Sequence, residues 1–163
     1  MERRELFSSL FSKGKKEKKE VISRPPYFET EDSFYKGCIE CTDTPCATFC
    51  EENIIVISDD KTPKLDFKSG GCTYCDECAN TCTNDVLKLE HKKLINVKVE
   101  IDIMKCMSWH QTMCFSCKDP CLDDAIEFLG MFRPSVNDDK CTSCGFCVGV
   151  CPSGAIIIKE KEV

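Results

Sequence analysis

Every one of the 16 cysteines in this 163-residue chain belongs to one of four groups of four. The first is Cys38, Cys41, Cys46 and Cys50, with gaps of two, four and three residues. The second is Cys72, Cys75, Cys78 and Cys82, with gaps of two, two and three. The third is Cys106, Cys114, Cys117 and Cys121, with gaps of seven, two and three. The fourth is Cys141, Cys144, Cys147 and Cys151, again two, two and three. This is an internal repeat of four units, and any fold must bring these thiols to their partners.

A thiol content this high means a disulfide scaffold or a metal protein. A disulfide scaffold needs an oxidising compartment and an export signal. The opening segment MERRELFSSLFSKGKKEKKE has only a short mixed stretch, Leu6 to Phe11, behind Arg3 and Arg4. The apolar region of a secretory signal is missing, and the segment is too short and polar for a twin-arginine leader. The longest uncharged stretch, Cys141 to Ile158, has 18 residues but carries four Cys, three Gly and a Pro. It reads as a loop feeding a strand, so no membrane span is expected. The expectation is a cytoplasmic protein whose reduced thiols bind metal.

The spacing selects the metal. A loop with Cys at i, i+3 and i+6 can curl around a 4Fe–4S cubane and supply three thiolates, while its backbone amides offset the negative charge. The fourth Cys, three residues on, is expected on a short helix facing away, where it ligates the other cluster of a two-cluster unit. CTSCGFCVGVCP, Cys141 to Pro152, matches the two-cluster ferredoxin run, including its final Pro. Group two has the same spacing with Thr83 in place of Pro, and groups one and three carry insertions. Tetrahedral zinc sites use paired C-x2-C units with a longer spacer, and runs of this kind would leave awkward extra thiols.

Sequential pairing of the groups predicts four 4Fe–4S clusters. Their ligands are Cys38, Cys41, Cys46 and Cys82; Cys72, Cys75, Cys78 and Cys50; Cys106, Cys114, Cys117 and Cys151; Cys141, Cys144, Cys147 and Cys121. A rival scheme nests groups two and three inside one and four. The segments between the groups favour the sequential scheme. Ile54 to Ile57 and Leu65 to Phe67 read as a hairpin around Asp59-Asp60-Lys61. Ile126 to Leu129 and Arg133 to Val136 repeat that layout around Gly130. Val97 to Ile101 alternates with period two into group three, and Ile156 to Ile158 leaves group four.

The fold expected is α+β: two bacterial-type dicluster ferredoxin-like domains in tandem, with short hairpins and short helices around the clusters. Residues 1–23 form a basic flexible leader, 24–91 the first domain and 92–163 the second, joined at Glu90-His91-Lys92-Lys93. In the leader, Leu6, Phe7, Leu10 and Phe11 also fit a short docking helix. Apolar residues make up 42% of the chain, but Cys supplies about ten of those points. Each half is therefore near the size at which burial alone is marginal and a metal staple is needed.

Charge limits the partners. The first twenty residues hold seven basic and four acidic side chains, a net +3, so the remainder of a −6 chain carries −9. Four oxidised cubanes at −2 each would bring the loaded protein to about −14, which suits a basic partner patch and excludes nucleic acid. No enzyme is expected. No Gly-rich phosphate loop or nucleophile elbow occurs in the sequence. His91 and His110 are isolated, the first in a linker and the second in a packing or surface role. Glu51-Glu52, Asp59-Asp60, Asp123-Asp124 and Asp138-Asp139 read as helix-start or turn residues. Tyr74, Phe115 and Phe146 lie inside the cluster loops and are expected to shield them from water.

With these motifs assembled, the chain resembles the NapF family, the ferredoxin-type accessory proteins of periplasmic nitrate reductase systems. The resemblance covers roughly residues 24 to 158. It rests on Arg24-Pro25-Pro26, the two-four-three spacing of group one, Asn53-Ile54-Ile55, and Tyr74 within group two. It rests further on CMSWHQTMCFSCKDPC from Cys106 to Cys121, Ala125-Ile126, and Cys151-Pro152-Ser153-Gly154-Ala155-Ile156, with Arg3-Arg4 also similar. Thr83 and the Lys-rich leader depart from it, and neither touches an expected ligand. The resemblance implies a soluble cytoplasmic protein with four 4Fe–4S clusters. It also implies binding to the catalytic subunit of periplasmic nitrate reductase before export, to help load or reduce that subunit's iron–sulfur centre. The cluster loops fit equally an electron-transfer polyferredoxin, and a zinc-binding interaction module is the third reading.

Overall fold

The computed structural model describes residues 21–161, so the expected leader lies outside the described residues except for 21–23. Arg24 and Pro25 enter as buried irregular chain and Pro26-Tyr27 form a buried turn, since proline fixes φ and cannot donate to a helix. Phe28 forms a single antiparallel bridge with Leu87, and Lys88 N–H donates to the Tyr27 carbonyl at 2.7 Å. Helix α1 follows, Glu31–Gly37. Glu31 and Asp32 in its first turn and Lys36 in its last complement the helix dipole, and Phe34 is its buried anchor.

Strands β1 (Ile55–Ile57) and β2 (Pro63–Leu65) pair antiparallel, with Ile55 opposite Leu65 on the buried face and Val56 outward. The second strand starts two residues earlier than the sequence suggests and ends before Asp66 and Phe67. Pro63 can open it because an edge strand needs no donor there, and Phe67 turns inward instead, 3% exposed. Strands β4 (Ile126–Leu129) and β5 (Phe132–Val136) form the second hairpin, with an irregularity between Phe128 and Leu129. Gly130, at φ +67°, opens its two-residue turn, the position where a left-handed backbone suits the twist of the strands. Strands β3 (Val97–Ile101) and β6 (Ile156–Glu160) close the third antiparallel pair, Val97 opposite Glu160 and Ile101 opposite Ile156.

The α+β fold also has three four-residue helices, α2 (Pro45–Thr48), α3 (Glu77–Asn80) and α4 (Phe146–Gly149), besides 3-10 turns at Leu89–His91 and Met107–His110. Each of the three helices carries the third Cys of its group. The fourth Cys lies two residues beyond the helix end, at the start of a turn, and not on the helix as expected. The reason is length: four residues make barely one turn, and the backbone has already left it at Cys50, Cys82 and Cys151.

Buried side chains gather in two groups. One runs from Tyr27 through Phe34, Ile54 and Phe67 to Val97. The other consists of Val99, Cys117, Ile126, Cys147 and Ile156. Two of these last five are cysteines, so this part of the chain has little apolar substance apart from its thiols. Among the described residues no helix is long and apolar enough to cross a membrane.

Candidate metal centres

The cysteine loops share one backbone construction. In every group the N–H of the residue after the third Cys donates to the carbonyl two residues before that Cys. The pairs are Ala47 to Thr44 at 3.0 Å, Ala79 to Asp76 at 3.0 Å, Lys118 to Phe115 at 2.8 Å and Val148 to Gly145 at 2.9 Å. Thr44, Asp76 and Gly145 hold left-handed φ values of 41°, 70° and 85°. In groups two and four, Tyr74 (φ 55°) and Ser143 (φ 59°) are left-handed as well. In groups two and four this alternation of handedness is the backbone pattern from which anion-binding nests are made.

A second construction follows each group. The third residue after the fourth Cys is left-handed in all four: Asn53 (52°), Asp85 (55°), Asp124 (50°) and Gly154 (58°). The chain then turns inward, and Ile54, Val86, Ala125 and Ala155 are all buried. The turn aims backbone donors at sulfur: Leu87 N–H at Cys82 Sγ (3.4 Å), Ala125 at Cys121 (3.3 Å) and Ala155 at Cys151 (3.2 Å). Sequence reading missed this device, although its signal is present. Asn, Asp or Gly recurs at one fixed offset, and these residue types tolerate the left-handed region best.

The fold gathers thiols from different groups. Cys50 lines a pocket with Cys72, Cys75 and Cys78, which encloses about 420 Å³ of empty space partly open to solvent. Cys121 lines another, about 350 Å³, with Cys141, Cys144 and Cys147. Cys151 lines a third, about 320 Å³, with Cys106, Cys114 and Cys117. The remaining four are electrostatic neighbours. Burial, then the charges of Cys82 and Cys41, push Cys38 up to about 11. Burial, then Cys82 and Cys38, push Cys46 up to about 12.

The same physics recurs elsewhere. Burial pushes Cys72 and Cys117 up to about 11, and Cys78 and Cys147 up to about 12, with neighbouring thiolates adding to it. Cys151 is the exception. Burial raises it, but N–H donors from Ala155, Ser153 and Ile156 and the Ser153 hydroxyl outweigh that and bring it below the ordinary value. Crowded thiols of this kind stay protonated until a cation compensates them, so metal binding would release protons. Among the described residues no three His, Cys, Asp or Glu side chains converge tightly enough to hold a single metal ion. Three sets of four thiols each line a pocket instead, and with backbone N–H donors at the sulfurs of Cys82, Cys121 and Cys151 that donor chemistry fits a 4Fe–4S cluster.

The aromatic residues divide. Phe115 is 38% exposed and packs tilted against Phe128 at 4.9 Å between centroids. Tyr74 is more than a shield: its hydroxyl donates to the Thr142 carbonyl at 2.6 Å and accepts from Ile95 N–H at 3.2 Å. In the group-three insertion, Trp109 Nε1–H donates to the Pro134 carbonyl on β5 at 3.0 Å, and His110 Nε2 meets the Met104 carbonyl at 3.1 Å. His91 lies 3.5 Å from Glu90.

Comparison with known proteins points to an iron–sulfur protein. The 4Fe–4S binding domain model matches residues 134–157, the segment of group four. The chain is similar to the ferredoxin-type protein NapF of Escherichia coli K12, with 30% identity over 137 residues and 82% of each chain covered. It is similar to the NapF protein of Haemophilus influenzae, with 32% identity over 161 residues, 96% of this chain and 90% of that one. The ferredoxin-type protein NapG of E. coli K12 is more distant, at 25% over 155 residues.

Proposed function

Since the chain belongs to the family of ferredoxin-type NapF proteins, we propose that it carries four 4Fe–4S clusters and serves as a cytoplasmic accessory protein with no turnover of its own. Its client, by family resemblance, is the catalytic subunit of periplasmic nitrate reductase before export. The reading includes two dicluster units in tandem, 24–91 and 92–163, each binding two clusters by exchange of the fourth ligand. Cys82 completes the set of Cys38, Cys41 and Cys46, and Cys50 that of Cys72, Cys75 and Cys78. Cys151 completes Cys106, Cys114 and Cys117, and Cys121 completes Cys141, Cys144 and Cys147.

One observation carries the proposal: in each of three pockets, three thiols of one group meet the fourth thiol of another. That crossing supports sequential over nested pairing. Bound clusters supply one-electron redox chemistry. The chain's own groups orient them, shield them, and donate N–H to the ligand sulfurs, which are the levers over potential. The accessory role is tested by mixing the anaerobic holo-protein with the catalytic subunit lacking its iron–sulfur centre. Complex formation and a gain in the client's iron content or reduction are expected. Absence of both would contradict the role.

A relay role within an oxidoreductase system is the second reading. It is favoured by a direct contact between two cysteine loops of different halves, Cys72 and Cys144.

A further inference from the structure

The contact between groups two and four is built, not incidental. Cys72 N–H donates to the Cys144 carbonyl at 2.7 Å. Two residues on, the Tyr74 hydroxyl donates to the Thr142 carbonyl, 68 positions away in sequence, and accepts from Ile95 N–H. Ser143 Oγ donates to the Val97 carbonyl at 2.6 Å, buried. The surfaces interlock at glycines. A Cβ on Gly145 would overlap the Phe67 ring, and one on Gly71 would overlap Phe146. Val148 packs against both groups of buried side chains.

We propose that the four cysteine sets form one unbranched electron relay. The order is the Cys38 set, the Cys72 set, the Cys141 set and the Cys106 set, joined in the middle by the Cys72–Cys144 bond and held in register by Tyr74. The inference rests on the four-cluster reading and adds the order of the centres, the junction and the residue that fixes it. The outer links rest on shared loops: Cys50, from group one, lines the pocket of the Cys72 set, and Cys121 and Cys151 are exchanged between groups three and four. An electron crossing the junction lowers one set by one oxidising equivalent and raises its neighbour by one; no bond forms or breaks and no proton moves. The first electron comes from an external one-electron donor, dithionite in the test. The ends of the relay are then the two irregular groups, one and three, each carrying an insertion in its loop.

Tyr74 is a positioning residue, so its test needs more than stability. The anaerobic full chain with Cys41→Ala and Cys114→Ala removes one ligand from each outer set and leaves the inner two. Iron is counted first. If the unaltered chain lacks four clusters, the underlying reading fails and not the order. With dithionite, the EPR spectrum of the two remaining reduced centres should be split by mutual spin interaction, and the splitting should vanish when Cys75→Ala is added. Two independent, unsplit signals would overturn the order. Tyr74→Phe in the otherwise unaltered chain keeps the ring and removes the hydroxyl. It should retain its iron yet show weaker splitting and shifted midpoint potentials. Splitting and potentials identical to the unaltered protein would overturn Tyr74's role and the junction it holds, and this arm still tests the junction if the Ala variant does not assemble.

Discussion

Arg24 Nη1 donates to Thr62 Oγ1 at 2.7 Å, with both side chains buried, and through the same nitrogen to the Pro63 carbonyl at 2.9 Å. The guanidinium also lies 4.9 Å from the Phe34 ring centroid and 3.1 Å from Glu31. One side chain thus ties the entry segment to α1 and the first hairpin. Arg24→Met removes the donors and leaves the buried Pro63 carbonyl without its side-chain donor, while the Thr62 hydroxyl keeps its bond to Asp60, a loss of about 1–3 kcal/mol. Arg24→Lys keeps the charge but not the fork and should lose less. Anaerobic urea unfolding of the holo-protein checks both. Equal midpoints for all three proteins would refute the tie.

Gly145 and Gly154 both sit at positive φ, 85° and 58°, but in different surroundings. Nothing lies within 4 Å of a Cβ placed on Gly154, so Gly154→Ala incurs backbone strain alone, about 1 kcal/mol. At Gly145 the same change also meets the Phe67 ring and should lose cluster iron together with stability. Iron content of the two variants separates these cases. Similar losses would mean that the Phe67 contact carries nothing.

Glu100 on β3 bonds to Lys159 on β6 and faces Lys98, and the Lys159 hydrogen bond holds its carboxyl below the ordinary value of 4.5. A carboxylate depressed in the folded state stabilises above its unfolded pKa and loses that contribution as pH falls through the folded value. The pair is partly exposed, so Glu100→Gln should lose no more than about 1 kcal/mol near neutrality. The gap between variant and parent should stay constant from about pH 8 to 6 and narrow only below about 4.5. Trp109 fluorescence during denaturation reads the gap. A gap that widens in acid would reverse the sign.

Cys50→Ala and Cys75→Ala should each remove one cluster, and the double variant should lose no more than either single one, because both line one pocket. About twelve irons are expected in all three, assuming cubanes of four irons each. A double variant at about eight irons would assign the two thiols to different centres.

Much of this was legible in the sequence because cluster loops are local objects. The thiol spacing marks the four loops, and the alternation of Val97 to Ile101 and the Gly130 turn mark β3 and the second hairpin within a residue or two. What escaped was long-range or decided by competition. Phe67 has the character of a strand residue, yet its ring packs against Gly145, almost 80 positions on, so β2 ends before it. Tyr74 reads as a shield, and only the fold brings Thr142 and Ile95 within reach of its hydroxyl. No local pattern could predict the Cys72–Cys144 bond, since both loops have the same spacing and either would satisfy its amides on its own.

The most direct test of the account is iron and acid-labile sulfide analysis of the anaerobically purified full chain, with EPR before and after reduction. About sixteen irons and sixteen sulfides per chain, with interacting reduced cubanes, are predicted. A colourless protein holding about four zincs and no sulfide would contradict the ligand sets and the functional reading built on them.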